Sequence, residues 1–326
     1  MERRSTPLIV SDPVPGRISV IMACYNAEPY LEQAVRSVVD QTFPDVELIV
    51  VDDGSTDRSR QLLAKFEDRI RIICQQTNAG PYPARNSGLK YATGEFVAFL
   101  DADDWWAPTC LEKLHRALCA DAAAAVAYCG WQNMGLPQGR GDPHIPPDYE
   151  ANGKLEAFLR AAAPWPIHAA LVRRSALEAA KGFDTQWRTC MDYDLWLRIC
   201  AVHRIVRVSE VLAFYRFHTS GQITSTQWRQ AQNTWRVKKR FLARHPEIKR
   251  RLAPEKLKDL VDGGLLRRGY DLYWKRDLVS AQKVFRLALR TSAWRLRDLK
   301  HLIPALLPGG LYRTLILRAD RRDASA

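Results

Sequence analysis

The stretch that most constrains this chain is Phe96-Val97-Ala98-Phe99-Leu100-Asp101-Ala102-Asp103-Asp104, five apolar residues running straight into three carboxylates. An apolar run of this length, bounded by Gly94, reads as a buried strand. Buried parallel strands end at a carboxyl edge, where α/β proteins place their ligands. Three like charges there repel one another, and no neighbour in sequence neutralises them. A hard divalent cation, Mg²⁺ or Mn²⁺, would do so, and would in turn hold phosphate oxygens. Without a cation the same residues form an acidic turn ahead of the helix expected near Pro108.

The surrounding chain alternates strand-like and helix-like segments. Apolar runs at Ile18–Ala23, Val46–Val51, Ile70–Cys74, Phe96–Leu100 and Ala123–Cys129 predict five strands. Between them, helical spacing predicts helices over Tyr30–Val39, from the Asp57 turn through Phe66, over Ala84–Tyr91 and over Pro108–Ala120. The first of these carries Leu31, Ala34, Val35 and Val38 on one face. This alternation implies an α/β fold with a mainly parallel sheet and helices on both faces. Residues 131–153, rich in Gly and Pro, read as a long functional loop. Beyond it come a helix over Leu155–Ala163, a strand over Ala169–Arg173, a helix over Cys190–Val202, and short strands at Val206–Val208 and Val211–Phe217. From Thr226 onward the pattern is helical, broken near Pro246, Pro254, Gly263-Gly264 and Pro308-Gly309-Gly310, with a helix pair of repeat type over Gly269–Arg290.

Charge divides the chain in two. Residues 1–226 carry 24 Lys and Arg against 27 Asp and Glu, while residues 227–326 carry 25 against 9, so a net −3 body bears a net +16 tail. No window approaches about 18 uninterrupted apolar residues, which excludes a transmembrane helix, and Met1-Glu2-Arg3-Arg4 is not followed by the apolar core of a signal peptide. Seven scattered cysteines without a Cys-x-x-Cys pair point to reduced thiols, and so to a cytoplasmic protein.

Five segments combine into a pattern. They are Val20-Ile21-Met22-Ala23-Cys24-Tyr25-Asn26, Leu48-Ile49-Val50-Val51-Asp52-Asp53-Gly54-Ser55-Thr56-Asp57, Ala84-Arg85-Asn86-Ser87-Gly88, Asp101-Ala102-Asp103-Asp104 and Met191-Asp192-Tyr193-Asp194-Leu195-Trp196-Leu197-Arg198. With the closing Tyr215-Arg216-Phe217-His218, their order and spacing resemble the inverting glycosyltransferases of family 2, which have the GT-A fold with its Rossmann-like nucleotide-binding half. The resemblance spans about residues 17–225, and so divides the chain into an N-terminal extension (1–16), a GT-A domain (17–225) and a basic α-helical C-terminal region (226–326).

The resemblance implies transfer of a sugar, with inversion and metal dependence, from a nucleoside diphosphate donor to a hydroxyl of a glycan or lipid-linked glycan. UDP is the foremost base carrier, with dTDP and GDP as alternatives. Ala23, Tyr25 and Asn26 end the first strand where the base would lie, and the second aspartate of the Asp52-Asp53 pair, Asp53, would accept a base N–H. Asp52 and Asp57 read as turn and N-cap residues. Arg85, near a helix start, suits phosphate, or else forms a structural ion pair with an aspartate. Asp101 and Asp103 form the Asp-x-Asp motif; Asp101 is assigned to the ribose, and Asp103, Asp104 and His218 to Mn²⁺ or Mg²⁺. Asp192 is the implied general base, since inverting transfer needs one carboxylate to take the acceptor proton and forms no covalent intermediate.

Position 191 departs from the pattern, with Met where the family commonly has Glu, which puts acceptor positioning in question. It also opens a second reading, a non-catalytic nucleotide-sugar or glycan-binding scaffold derived from the same fold. A sugar-nucleotide-forming nucleotidyltransferase is disfavoured, because Val20–Asn26 lacks a Gly-rich phosphate loop. Of Trp105 and Trp106 one is available to stack on a sugar, and at least one is expected in the core; Trp165 and His168 receive no role. In the tail, Leu296, Leu299, Leu302, Ile303, Leu306 and Leu311 sit among Arg295, Arg297, Lys300 and Arg313. A basic amphipathic segment with Trp294 reads as a contact with the inner face of the cytoplasmic membrane, or as a packed helical subdomain with a solvated basic face. No nucleic-acid module is present, so nucleic acid is not an expected partner.

Overall fold

A computed structural model describes residue 9 and residues 12–136, 139–161, 163–187, 189–218 and 226–323, the side chains only as far as 318. Met1–Arg4, considered above for a signal peptide, lie outside the described residues. The chain forms two compact units, one of residues 1–154 and 163–220, the other of residues 155–162 and 221–326.

The first unit opens with β1 (Val14–Cys24), α1 (Leu31–Val39), β2 (Val46–Asp52), α2 (Ser59–Ala64), β3 (Arg71–Cys74), α3 (Pro81–Leu89) and β4 (Gly94–Asp101). It continues through β5 (Trp105–Trp106), α4 (Cys110–Ala120), β6 (Ala124–Met134), β7 (Pro143–His144), the start of α5 (Lys154–Arg160), β8 (Ala170–Arg173), α6 (Arg174–Ala179), α7 (Met191–Cys200) and β9 (Arg204–Arg216). The strands form one sheet in the order β3-β2-β1-β4-β8-β6-β9-β5, with β7 beside β6. The long ladders, β1–β2, β1–β4 and β6–β9, are parallel, whereas among the described residues no antiparallel ladder exceeds three residue pairs. The mainly parallel α/β architecture is therefore present.

Its core is the apolar body of β1, β2 and β4, where Val20, Ile21, Val50, Phe99 and Leu100 are fully buried. Each such side chain removed from water contributes about 1.5–3 kcal/mol. On α1, Leu31, Ala34, Val35 and Val38 are the buried residues, the face read from the helical spacing. The register places Ala23 between Val51 of β2 and Asp101 of β4, so the three strands end side by side. Helix α3 lies close against this sheet, because Gly88 has no side chain: a Cβ there would stand 2.7 Å from Ile21 Cγ2 and 3.0 Å from Val51 Cγ2.

Two expectations are corrected in this unit. The loop expected over 131–153 begins later, because β6 runs on to Met134 beside β9 and β7. The two short strands expected at 206–217 are one strand, β9, whose register against β6 shifts at Gly130 and leaves Ser209 and Glu210 outside the pairing. Gly130 permits that irregularity, since a Cβ would meet His144 O at 2.7 Å and Glu210 O at 3.0 Å. Trp105 and Trp106 pair as β5 with Phe214 and Ala213 of β9.

The second unit holds α8 (Gln227–Arg244), α9 (Pro246–Lys249), α10 (Pro254–Lys258), α11 (Gly264–Trp274), α12 (Leu278–Ala288), α13 (Leu299–Leu302) and α14 (Gly309–Asp323). Pro246 and Pro254 start helices, as prolines do at first-turn positions. Gly263-Gly264 makes no break: one π-helical turn, Asp259–Gly263, leads directly into α11. Helices α11 and α12 are the expected pair, meeting where a Cβ on Gly269 would lie 2.7 Å from the Phe285 ring. Leu265, Leu272, Ala281, Val284, Phe285, Leu302 and Tyr312 build this unit's own core.

Replacing Gly88 by Ala tests the close seating of α3. The β-branched Ile21 and Val51 cannot move aside cheaply, so Gly88→Ala should lower stability by about 1–3 kcal/mol. Urea unfolding would show an earlier midpoint; an unchanged midpoint would contradict the packing described.

Candidate active site

The carboxyl ends of β1, β2 and β4 gather most of the residues singled out from the sequence. Tyr25 projects from the end of β1 and is 47% exposed, available to a ligand. Asn26 takes a left-handed backbone (φ 49°), and its side-chain oxygen accepts from Thr56 N at 2.8 Å and Asp57 N at 3.3 Å. Asn26 thus braces the loop after β2. Asp53 is buried and accepts from Ala79 N (2.9 Å) and Gly80 N (2.7 Å), one amide on each oxygen. Those bonds fix the entry to α3, where Gly80 (φ 98°) turns the chain into Pro81. Each carboxylate oxygen keeps a further lone pair, which is what a base N–H would use. Asp52 is buried, ion-paired with Arg60 and hydrogen-bonded to Ser55 N, a turn residue as read. Asp57 bonds Ser59 N at the start of α2.

The three carboxylates of the β4 turn each have a cationic or donor partner brought from far along the chain. Asp101 pairs with Arg85 of α3, a residue 2% exposed whose guanidinium lies over the rings of Tyr82 (4.9 Å) and Phe183 (5.6 Å). Burial alone would depress Arg85, but Asp101 outweighs it and holds the charge. The ion pair read for Arg85 is present. Asp103 Oδ2 lies 2.8 Å from His218 Nε2, and His218 stacks on Tyr30 at 5.5 Å. Asp104 is sealed at 1% exposure; Oδ1 accepts from Arg216 N (2.8 Å), and Oδ2 lies 3.0 Å from His168 Nδ1.

Burial, and then the neighbouring carboxylates, raise both Asp103 and Asp104, the latter to about 6 despite the His168 imidazole pulling it down. For His168 burial works toward the neutral form, while Asp104 and its neighbours lift it above the ordinary imidazole range. One oxygen from each of Asp101, Asp103 and Asp104 falls within 4.8 Å of the others. Hard oxygen donors this close, mutually repelling and partly buried, fit a divalent cation such as Mg²⁺ or Mn²⁺. Asp101 and Asp103 are the partly open members.

His168 and Arg216 are the contributors that sequence reasoning left without a role. Arg216 bonds Asp104 through its backbone, Asp103 O through Nε (2.9 Å) and Gln33 Oε1 through its fork (2.5 Å). Its guanidinium rests 4.5 Å over Trp105 and 4.8 Å over Tyr30. Trp106 is buried and donates to His168 O at 2.7 Å, while Trp105 stacks on Phe214 at 5.3 Å. Trp165 is a core ring, stacked on Tyr128 at 4.3 Å. A polar histidine inside Ile167-His168-Ala169-Ala170-Leu171, an otherwise apolar run into β8, was the signal available for His168.

Asp192 lies in the first turn of α7, after the left-handed Cys190 (φ 64°), and accepts from Tyr193 N at 2.8 Å. Burial raises its carboxyl above the ordinary carboxylate range, against the pull of that N–H and of Arg85. Its charge is felt at Arg85, Tyr82 and Tyr215, so it shares the electrostatic field of the Asp101 cluster. Met191 beside it is 4% exposed, a core side chain, so the departure at this position is absorbed by packing.

The His168–Asp104 contact is testable by a double-mutant cycle. His168→Leu leaves the Asp104 carboxylate buried without its imidazole and should cost about 3 kcal/mol. Asp104→Asn combined with His168→Leu should cost less than the two singles added, by at least about 1 kcal/mol. Additive costs in urea unfolding would show that the pair is not coupled.

The comparisons with known proteins agree with this geometry. The profile of Glycosyl transferase family 2 matches residues 19–180, a segment ending ahead of Asp192. TuaG of Bacillus subtilis (strain 168), named as a teichuronic acid biosynthesis glycosyltransferase, is 32% identical over 229 residues, covering 68% of this chain and 86% of TuaG. Residues 1–349 of Staphylococcus aureus TarS, crystallised with UDP-GlcNAc, superpose with a TM-score of 0.63 at 21% identity, over 89% of this chain and 79% of that one. The mannosyltransferase PcManGT of Pyrobaculum calidifontis, in complex with GDP-Man and Mn²⁺, gives 0.57 at 21% identity, over 96% and 86%. With the fold, the aspartate turn and a relative matched along most of its length, the chain belongs to glycosyl transferase family 2 and is a glycosyltransferase of GT-A fold.

Proposed function

We propose that this glycosyltransferase moves a sugar, with inversion, from a nucleoside diphosphate donor to a hydroxyl of a cell-surface glycan or its lipid-linked precursor, and needs a divalent cation to do so. The observation that carries the reading is the convergence of Asp101, Asp103 and Asp104 oxygens within 4.8 Å at the end of β4. TuaG, TarS and PcManGT support it through what their names and bound molecules state: teichuronic acid biosynthesis, UDP-GlcNAc, and GDP-Man with Mn²⁺.

In this reading Tyr25 and the edge at Ala23 face the base, Asp53 accepts a base N–H on a remaining lone pair, and Asp101 meets the ribose. Asp103, with Asp101, would hold the cation beside His218; Asp104, expected as a third ligand, is sealed with its oxygens facing the Arg216 amide and His168, and in this reading braces the turn from behind. A cation held there would neutralise charge growing on the departing diphosphate. Asp192 takes the proton of the acceptor hydroxyl as its oxygen attacks the anomeric carbon. The bond to the diphosphate breaks on the opposite face, and its electron pair leaves with the phosphate oxygen. No carboxylate forms a bond to the sugar, so the configuration inverts in one displacement.

Asp192→Asn tests this. General-base catalysis is worth about 10²–10⁴-fold, so kcat should fall by that amount while nucleotide affinity stays unchanged. A base must be deprotonated to act. Burial raises Asp192, so the wild-type kcat/KM should fall on acidification at a pH above the ordinary aspartate value near 3.9. Wild-type turnover in Asp192→Asn would remove the assignment.

A further inference from the structure

Leu296, Ile303, Leu306, Leu311 and Leu315 of the second unit are exposed, Leu296 at 81%, Leu306 at 62% and Leu311 at 60%. Frayed chain does not account for them. Alternating residues of the same segment, Leu302, Ala305, Tyr312 and Ile316, are buried in the unit's core. The turn between α13 and α14 is pinned to α12 by its carbonyls. Gln282 Nε2 donates to Ala305 O (3.0 Å) and Leu307 O (2.7 Å), and Arg286 donates to the same two oxygens at 2.6 and 2.7 Å. Helix α14 therefore shows Tyr312 and Ile316 inward and Leu311 and Leu315, one turn apart, outward, with exposed Arg318 three residues beyond Leu315 on the same side.

Residues 290–323 hold eight Lys and Arg against three Asp. One of those three, Asp298, is buried and occupied by Tyr270 and Arg295 N. Exposed leucines interleaved with cations match an anionic interface with an apolar interior. A second copy would fit poorly, because a twofold contact sets the same patch against itself and brings like charges together. We propose that the face formed by Leu296, Ile303, Leu306, Leu311 and Leu315, with Arg318, docks on an anionic lipid bilayer.

Co-sedimentation of the full chain with vesicles tests this, using phosphatidylglycerol and phosphatidylcholine at 1:3 against phosphatidylcholine alone. The wild type should pellet with the anionic vesicles only. Leu306→Ser/Leu311→Ser/Leu315→Ser and Arg318→Glu should each bind at least tenfold more weakly, with unchanged circular dichroism and the wild-type mass by light scattering. Should the triple variant fail to fold, Leu306→Ser and Arg318→Glu carry the comparison. Three results would overturn the proposal: no wild-type binding to anionic vesicles, undiminished binding by these variants, or a wild-type dimer that the leucine variants dissociate without any vesicle binding.

Discussion

Like-charge crowding at the end of β4 is the constraint around which the first unit is arranged. Asp101, Asp103 and Asp104 follow a strand with no polar neighbour to relieve them, and burial makes the repulsion worse. The fold answers with one partner for each. Arg85 arrives from α3 for Asp101, His218 from beyond β9 for Asp103, and His168 with the Arg216 amide for Asp104. These partners are 16 to 115 residues away in sequence, so the turn is stable only once the sheet has brought them together. The same arrangement leaves Asp101 and Asp103 partly open and close together, where a cation would share the work that Arg85 and His218 do in its absence.

The supports of this turn are themselves supported. Short strand β5 pairs with β9 and so delivers Arg216 to Asp103 and Asp104, and Trp105 and Tyr30 flank its guanidinium. Gly88 lets α3 approach β1 and β2 closely enough for Arg85 to reach Asp101, and Asp53 fixes the start of that helix. Several motif residues hold the local structure: Asn26 and Asp53 spend hydrogen bonds on loops, and Asn86 exchanges bonds with the backbone of Phe183. A carboxylate turn this strained electrostatically needs a rigid frame, because a loose partner leaves a buried charge uncompensated.

What could be read from the sequence follows from range. Strands β1, β2 and β4 and the buried face of α1 are fixed by local hydrophobic periodicity, and they were legible to within a few residues. The aspartates were legible as a cluster because they adjoin in sequence. Their partners were not, since His168 reads alone as one polar residue in an apolar run and Arg216 as one more cation. Strand β5 is two residues long, below what periodicity detects, and the join within β9 depends on Gly130 across the sheet. The glycine pair at 263–264 reads as a break, yet packing within the helical unit carries a π-helical turn through it.

The central claim is that the β4 turn, with its far-sequence partners, is a cation-dependent site for a nucleoside diphosphate. Calorimetric titration of UDP, GDP, dTDP and CDP into the folded chain, each with Mn²⁺ and with EDTA, addresses it directly. The account predicts that one of these nucleotides binds, with affinity lost in EDTA. Absence of binding by all four, or equal binding in EDTA, would contradict it and leave the aspartate cluster a structural turn.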